Sequence, residues 1–322
     1  MTVRFDDTGG SLKVYKVFID GGHGTTGLRI NEYLSVREDI ELISIDPDER
    51  KDLNARLERI KEADVSILCL PDQAAREIAE AAPADAVLID TSSAHRTADG
   101  WTYGMPELTA GQRDKIRHSK RISNPGCHAS GFILLIRPLL ESGLLCRDAL
   151  LSCFCMTGYS GGGKSMIGRY ESAGRPAELD SPAQYALAQS HKHLPEMVKM
   201  TGISNAPCFS PVVGDFYSGM VMTVPLHRAM LSKDAGPEEA LDVLKKYYAD
   251  APLIQVMDSA PDDGFMYSNP MAGKNSLQIY VTGNEDRMLL IASYDNLGKG
   301  ASGAAVQNLN LVLAEEETKG LI

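Results

Sequence analysis

The alternation of short apolar runs with amphipathic stretches in the first half of this chain restricts its fold more than any other feature. The runs at 17–19, 41–45, 65–70 and 87–89 have the length and composition of buried strands, and helical patterns fill the intervals. Strands that alternate with helices are typical of a parallel sheet built with right-handed crossovers. The sequence therefore predicts a doubly wound α/β domain.

A glycine-rich turn, GGHGTTG at 21–27, follows the first of these strands and opens a helical stretch. Gly21, Gly24 and Gly27 have the spacing GxxGxxG, a variant of the fingerprint of Rossmann-type domains. In such turns the missing Cβ atoms let the backbone approach a pyrophosphate at a helix N-terminus. Thr25 and Thr26 add hydroxyl donors for the phosphates. We expect a dinucleotide to bind here, in a domain that covers residues 1–126.

The residues after the second strand leave the choice between NAD and NADP open. That strand is predicted to end at Asp46, where a carboxylate accepts a hydrogen bond from the 2′-hydroxyl of NAD and repels a 2′-phosphate. Arg50 and Lys51 follow closely and supply the positive charge that a 2′-phosphate needs.

The pattern changes after residue 126. A long apolar helix is predicted at 129–145, and strand-like runs follow at 150–157, 219–226, 277–282 and 288–293. Such a succession of strands favours a mixed sheet and predicts an α+β catalytic and oligomerisation domain over residues 127–297. The C-terminal segment 298–322, helical in its first part and rich in small residues, is expected to return to the first domain. Residues 1–11 are polar and are expected to be loosely ordered.

Composition excludes several classes of function. Of the 322 residues 43% are apolar and 23% are charged, and the net charge is −11. A nucleic acid or an anionic membrane requires clustered Lys and Arg, so neither is expected as a partner. The apolar runs fall short of the ~20 residues that span a bilayer, and we expect a cytoplasmic protein. The six scattered cysteines predict reduced thiols and no resident metal, because Cys153 and Cys155 lie in an apolar strand pattern.

The segment SNPGC at 123–127 places one thiol after a Pro-Gly turn and just before the long apolar helix. The positive end of the helix dipole favours thiolate over thiol and lowers the pKa of a cysteine in this position. Cys127 is therefore the candidate nucleophile, and its own backbone N–H and that of His128 are candidate oxyanion donors.

Five segments occur together in one order: GGHGTTG at 21–27, YGMPEL at 103–108, SNPGC at 123–127, HKHLPEM at 191–197 and DNLGKGASGAAVQNLNLVL at 295–313. They closely resemble N-acetyl-gamma-glutamyl-phosphate reductases, in the shorter sequence type of that family, and the resemblance runs from about residue 16 to residue 313. It implies an oxidoreductase of arginine biosynthesis. Such an enzyme reduces N-acetyl-glutamyl 5-phosphate to N-acetyl-glutamate 5-semialdehyde with NADPH, through a cysteine thioester, and releases phosphate.

Three histidines are candidates for the general base. The resemblance favours His193, in the pattern HxHxPE; His191 is the second candidate. His227 is the third, because it follows a Val-Pro run like that of the related aspartate-semialdehyde dehydrogenases. Alternate residues of an extended segment point to opposite sides, so only one of His191 and His193 is expected to face the thiol.

The implied substrate carries a phosphate and a carboxylate, which call for cations. Lys164 follows the loop SGGG at 160–163, and Arg96 lies at the carboxyl end of the fourth predicted strand, where such sheets place ligands. The resemblance adds Asn124 and His191 as substrate-binding residues and Asn296 as a contact of the nicotinamide.

Other readings remain. The nearest is an aspartate-semialdehyde dehydrogenase-like reductase of another acyl phosphate, against which HKHLPEM argues. A Cys-His hydrolase would not need GGHGTTG, and a catalytically silent NADP-binding regulator would not need an intact SNPGC. The sequence leaves open the acyl substituent of the substrate and the choice between a homodimer and a homotetramer, the assemblies that a mixed second sheet commonly supports.

Overall fold

The computed structural model describes Thr2–Phe5, residues 11–231 and residues 235–322. It divides into two compact units. The first comprises Met1–Pro106, Gly111–Pro125 and Ser302–Ile322; the second comprises Glu107–Ala110 and Gly126–Ala301. The α-helices of the described chain are α1 (Thr25–Ser35), α2 (Leu53–Glu62), α3 (Asp72–Ala81), α4 (Gln112–Arg117), α5 (Cys127–Glu141), α6 (Gly163–Glu171), α7 (Leu194–Thr201), α8 (Pro237–Tyr247) and α9 (Gly303–Val312).

The first unit is built on a seven-stranded sheet. Its strands are β1 (Thr2–Phe5), β2 (Ser11–Asp20), β3 (Ile40–Ile43), β4 (Val65–Leu68), β5 (Leu88–Asp90), β6 (Thr102–Tyr103) and β7 (Arg121–Ser123). The order β3-β2-β4-β5-β7-β6 is parallel throughout, which confirms the predicted doubly wound sheet. Because β3 and β4 lie on opposite sides of β2, the strand order reverses at β2. Sheets of this kind bind ligands beyond the carboxyl ends of the strands at that point.

The start of the chain is more regular than expected. Thr2–Phe5 pairs antiparallel with the first part of β2, with Thr2 opposite Val14 and Phe5 opposite Ser11. Residues 2–5 thus form an edge strand, which the polar composition of residues 1–11 did not predict. Residues 1 and 6–10 of that segment lie outside the described residues.

Helix α9 packs within the first unit, against α1, α4 and β5. Its small residues Ala304 and Ala305 are buried and permit this close approach. Asn308 of α9 donates from Nδ2 to the carbonyl oxygen of Gly104 at 2.8 Å and to Oδ1 of Asn124 at 3.1 Å. The C-terminal helix thereby supports the segment that precedes the SNPGC cysteine.

A buried ion-pair network ties the C-terminal segment to the start of β3. The carboxylate of Asp39 forms ion pairs with Nη2 of Arg37 at 2.7 Å and with Nζ of Lys319 at 2.8 Å. Burial alone would raise the pKa of Asp39, but the hydrogen bonds from Arg37 and Lys319 together outweigh burial and lower the pKa from 3.8 to about 2.

The second unit is built on a mixed sheet, as predicted. Its strands are β8 (Ser152–Gly158), β9 (Ala183–Gln184), β10 (Cys208–Gly214), β11 (Met220–His227), β12 (Ile254–Val256), β13 (Leu277–Gly283) and β14 (Arg287–Tyr294). They follow the order β12-β13-β14-β11-β8-β10-β9, with parallel pairs at β8/β10 and β12/β13 and antiparallel pairs elsewhere.

Helices α5 and α8 cover one face of this sheet. The side chains below them, such as Cys155, Met222 and Leu290, are fully buried. The long helix starts at Cys127 and ends at Glu141, so the predicted bounds 129–145 were displaced toward the C-terminus. Within the described part of the chain no helix is long and apolar enough to cross a membrane.

Candidate active site

Close backbone packing shapes the glycine-rich turn between β2 and α1. Gly21 has a φ of +84°, and a Cβ there would overlap the carbonyl oxygen of Cys69. A Cβ on Gly27 would lie 2.8 Å from the carbonyl oxygen of Gly21. Both positions therefore require glycine, because only then can the start of α1 approach the turn.

The N-terminus of α1 has the properties of an anion site. Its N-cap is Gly24, which has no side chain to cap the helix, and the first-turn N–H groups of Thr25, Thr26 and Gly27 have no partner within a helix. The hydroxyl oxygen of Thr25 is buried and has no hydrogen-bond partner in the described part of the chain. These groups fit a pyrophosphate, whose oxygens accept hydrogen bonds from such donors.

A cavity of about 320 Å³ adjoins this turn at the carboxyl ends of β2 and β3. Its lining includes Asp20, Gly22, Ser44, Ile45 and Arg50. The guanidinium of Arg50 is held by a hydrogen bond from Nε to the carbonyl oxygen of Pro47 at 2.9 Å. Lys51, the other predicted cation, is exposed and is not among the residues that line this cavity.

Asp46 does not lie at the end of a strand. β3 ends at Ile43, three residues before the predicted end, because Asp46 begins a turn. Its Oδ1 accepts the backbone N–H of Asp48 at 2.9 Å, and its carbonyl oxygen accepts that of Glu49 at 3.0 Å. The carboxylate thus caps its own turn, and of the two residues only Arg50 lines the cavity.

The second unit holds the nucleophile turn rigidly. Gly126, the N-cap of α5, donates its N–H to Oε1 of Glu196 at 2.8 Å, and the Glu196 side chain is buried. The hydroxyl of Tyr294 donates to the carbonyl oxygen of Cys127 at 2.6 Å. A Cβ on Gly300 would lie 3.0 Å from Cβ of Cys127, so a glycine here leaves room for the cysteine. The Cys127 side chain itself is half-buried.

Two histidines, His191 and His193, pack around His128 and its neighbour Cys127 in a compact cluster. Sγ of Cys127, one ring nitrogen of His128 and one ring nitrogen of His193 all lie within 4.8 Å of one another. The ring centroids of His191 and His193 lie 5.5 and 5.3 Å from that of His128, and 4.7 Å from each other. That only one of His191 and His193 faces the thiol stays a prediction: a ring nitrogen of His193 belongs to the group around the Cys127 sulfur, and His191 packs against the rings of His128 and His193. The segment of His191 and His193 is a turn, in which Leu194 donates its N–H to the carbonyl oxygen of His191, and not a strand.

His128 is the centre of this cluster and was not predicted as a site residue beyond its backbone N–H. Its Nε2 lies 2.7 Å from the hydroxyl of Tyr185, and its Nδ1 lies 3.2 Å from Sγ of Cys155. Burial, with smaller contributions from His191 and Lys192, lowers the pKa of His128 to about 3. The ring is therefore neutral at ordinary pH, which suits a positioning role and not proton transfer.

The loop that carries Tyr185, His191 and His193 is anchored by Gln189. Its side-chain amide donates to the carbonyl oxygen of Phe209 at 2.7 Å and accepts the N–H of Phe209 at 2.9 Å, as a neighbouring strand would. Gln189 has a φ of +55°, and the Phe209 ring packs against His128 and His191. Sequence reasoning missed Gln189 and Tyr185, which belong to none of the five motifs. It also missed the contact of Glu196 with Gly126, because the motif HKHLPEM does not show what its glutamate binds.

His227 is distant from the cluster. It is the exposed last residue of β11, whose first residue is Met220. Seven residues of strand separate the two, so their Cα atoms lie about 23 Å apart. Met220 is paired with Tyr294, whose hydroxyl contacts Cys127. His227 is thus the weakest of the three candidates for the base.

The predicted polar ligands have different environments. Lys164 is exposed in the first turn of α6. Asn296 is buried; it accepts the N–H of Gly219 and donates to Oγ of Ser160 at 2.9 Å. In the first unit, the guanidinium of Arg96 donates to the carbonyl oxygen of Asn124 at 3.0 Å and to that of Thr91 at 3.1 Å. Asn296, Arg96 and Asn124 therefore all help to fix the loops in which they lie.

The cluster in the second unit can perform acyl transfer. It brings a thiol at a helix N-terminus within reach of an imidazole, and the N–H groups of the first turn of α5 point toward the same end of the helix. A dinucleotide turn in the first unit adds the capacity for hydride chemistry. This combination of groups is typical of an NAD(P)-dependent oxidoreductase.

Comparisons with known proteins agree with this class. The sequence profile of the family "Semialdehyde dehydrogenase, NAD binding domain" matches residues 16–118, and that of "Semialdehyde dehydrogenase, dimerisation domain" matches residues 127–296. Two solved aspartate semialdehyde dehydrogenases have the same fold. The superposition on aspartate semialdehyde dehydrogenase II from Vibrio cholerae covers 94% of this chain and 99% of that enzyme, with a TM-score of 0.69 and 18% sequence identity. The superposition on the enzyme from Francisella tularensis covers 93% of this chain and 100% of that enzyme, with a TM-score of 0.71 and 14% sequence identity.

Sequence similarity is much higher to a narrower group. An N-acetyl-gamma-glutamyl-phosphate reductase 2 from Nostoc sp. is 43% identical over 95% of this chain and 99% of its own length. An N-acetyl-gamma-glutamyl-phosphate reductase from Chelativorans sp. is 44% identical over 93% and 98%. The class defined by fold and site is therefore that of the semialdehyde dehydrogenases. Within it, the chain belongs to the N-acetyl-gamma-glutamyl-phosphate reductase family, which confirms the resemblance seen in the five motifs.

Proposed function

We propose that this chain reduces N-acetyl-glutamyl 5-phosphate to N-acetyl-glutamate 5-semialdehyde with NADPH, and that Cys127 carries the acyl group as a thioester. The observation that carries the proposal is the approach of the Cys127 sulfur and the His128 and His193 ring nitrogens to within 4.8 Å of one another. The family to which the chain belongs supports the substrate.

The first step is acyl transfer to Cys127. The thiolate attacks the acyl carbon, a C–S bond forms, the C–O bond to phosphate breaks, and phosphate leaves. The N-terminus of α5 favours the thiolate, and the N–H groups of Cys127 and His128 donate to the carbonyl oxygen as it becomes negative. Glu196 and Tyr294 hold the backbone of this turn, so the donors are already oriented.

The second step is reduction of the thioester. NADPH, when bound, supplies the hydride. His193 protonates the oxygen of the resulting hemithioacetal and takes the proton back as the C–S bond breaks, which releases the aldehyde and restores the thiolate. His193 is preferred to His128 because His128 is buried between two partners, with a pKa of about 3. Nδ1 of His191 accepts the N–H of His193 at 3.3 Å, so His191 helps to fix the base.

Substrate anions would be bound by the predicted polar residues. Lys164 provides an exposed cation in the first turn of α6, and His191 provides a neighbour of the base. Nε of Arg96 and Oδ1 of Asn124 already form hydrogen bonds within the protein, so these two residues would bind the substrate only through their other polar atoms.

The preference for NADP over NAD is supported by Arg50. Arg50 lines the cavity beside the dinucleotide turn, whereas the carboxylate of Asp46 caps its own turn. Gly21, Gly24, Thr25, Thr26 and Gly27 would hold the pyrophosphate, Lys51 would add charge from the exposed side, and Asn296 would act on the nicotinamide through the loop that it stabilises.

Residues 1–126 with 298–322 would then bind the dinucleotide, and residues 127–297 would carry catalysis and assembly. The face of the second sheet opposite α5 exposes large apolar side chains, with Phe154 43% and Leu289 39% exposed. A homodimer that covers this face explains them, and the dimerisation-domain profile over residues 127–296 supports it. A homotetramer would need a second surface. Arginine biosynthesis in the cytoplasm is the setting that the family suggests.

The test is an assay of the reverse reaction, with N-acetyl-glutamate 5-semialdehyde, phosphate and NADP as reactants. NADPH should form only when all three are present, and Cys127→Ser should form none. Aspartate 4-semialdehyde serves as the competing substrate, because the solved neighbours that act on it share only 14–18% identity with this chain. A higher kcat/KM for aspartate semialdehyde would overturn the proposed substrate.

A further inference from the structure

The cluster around the nucleophile also has the composition of a metal site. A thiolate and two imidazoles are ligands that Zn²⁺ prefers, at about 2.3 Å for sulfur and about 2.0–2.1 Å for nitrogen. Donors that share one tetrahedral zinc ion are therefore roughly 3.5 Å apart. The three atoms of Cys127, His128 and His193 already lie within 4.8 Å of one another, so small side-chain rotations bring them to one ion.

We propose that Zn²⁺ binds to Cys127, His128 and His193 and reversibly blocks the nucleophile. On binding, the S–H bond of Cys127 breaks, its proton goes to solvent, and a sulfur–zinc bond forms. No group is oxidised or reduced. Removal of the ion by a chelator returns the free thiol, and a water molecule completes the fourth position.

The groups around the trio can orient its members for a metal ion. The buried carboxylate of Glu196 accepts the N–H of Gly126, the residue before Cys127, and supplies negative charge beside the site. Each ring nitrogen of His128 has a partner, Tyr185 or Cys155. Metal binding displaces one of these partners, and the other keeps the ring oriented, as outer hydrogen bonds do for metal-bound histidines.

The site would be inhibitory. The metal ion coordinates the Cys127 sulfur, which must attack the acyl carbon, and the His193 ring nitrogen, which is proposed to transfer the proton. Zinc bound here and substrate acylation of Cys127 therefore exclude each other. The inference concerns binding by the free protein and does not depend on which acyl phosphate is the substrate.

The experiment starts from the double variant Cys146→Ser/Cys208→Ser, because these two cysteines are exposed and could bind metal on their own. Co²⁺ is the spectroscopic probe, with Zn²⁺ added in competition. We expect one equivalent of Co²⁺ with a near-ultraviolet thiolate-to-metal band, displaced by Zn²⁺. Cys127→Ser should abolish the band, and His193→Asn should weaken binding by at least roughly 10- to 100-fold. His227→Asn, which removes an exposed histidine, is the matched control and should bind like the parent.

A second measurement needs no substituted active site. Zn²⁺ should slow alkylation of Cys127 by iodoacetamide in the parent protein, and EDTA should restore the rate. Equal metal affinity in Cys127→Ser, or in a folded His193→Asn, would overturn the proposal. It would also be overturned if all metal binding were lost in the Cys146→Ser/Cys208→Ser parent, which would assign the binding to the exposed thiols.

Discussion

Replacement of His193 by asparagine tests the proposed chemistry most directly. The hydroxyl oxygen of the hemithioacetal is two covalent bonds from Sγ of Cys127. An imidazole nitrogen within 4.8 Å of that sulfur can therefore reach the ~2.6–3.2 Å of a hydrogen bond to the oxygen. A positioned acid or base contributes roughly 10²- to 10⁴-fold, or about 2.7–5.5 kcal/mol of transition-state stabilisation. His193→Asn should lower turnover by that factor.

The stage at which turnover fails is as informative as its size. The thiolate can attack the activated acyl phosphate without the imidazole, so a burst of phosphate release equal to the enzyme concentration should survive in His193→Asn. A stopped-flow assay with a phosphate-binding reporter and NADPH absorbance separates the two steps. His227→Asn is the control and should retain activity, because that residue lies at the far end of β11. Near-normal turnover in His193→Asn, together with a large loss in His227→Asn, would refute the assignment of the base.

Four further outcomes are expected. Cys127→Ser should abolish turnover and leave the melting temperature and the Kd for NADPH unchanged, and residual activity above a few per cent would contradict the thioester. Arg50→Ala should reduce the ratio of kcat/KM for NADPH to that for NADH, whereas Asp46→Ala should leave it equal or raise it; the opposite pair of results would assign the cavity to NAD. Gln189→Ala should lower the free energy of unfolding in urea by about 1 kcal/mol, since it removes two hydrogen bonds to one buried residue and water replaces part of them, and it should lower kcat more than it raises KM. The pKa of Asp39 is about 2 in the folded protein and 3.8 ordinarily, so the carboxylate's contribution to the free energy of unfolding is complete above about pH 4 and is lost as the pH falls toward 2. The difference in free energy of unfolding between wild type and Asp39→Asn should therefore shrink as the pH falls through that range. A difference that does not change with pH would show that the carboxylate is not charged in the folded state.

Local pattern was sufficient for most of the architecture. Four apolar runs of strand length became the first strands of the parallel sheet, because a strand buried on both faces must be apolar along its length. The glycine-rich turn and the Pro-Gly turn before Cys127 were equally clear, since their constraints are steric and act within a few residues.

Pattern was least accurate where a turn replaced a strand. The segment of His191 and His193 has an i, i+2 spacing that would separate the two rings in a strand, but a turn brings both to His128. Asp46 occupies the sequence position of an acidic ribose ligand, yet it begins a turn and caps it. In both cases the backbone path depends on hydrogen bonds that no periodicity records.

The sequence by itself determined the two kinds of sheet, the position of the thiol at the start of a helix and the family to which the chain belongs. These features depend on short segments whose side chains and backbone constrain one another directly. Only the tertiary structure decided which groups surround the thiol. Glu196, Tyr294 and Gln189 hold the site through contacts with residues that are 20 to 167 positions away in the chain, and such contacts exist only after the strands and helices have packed.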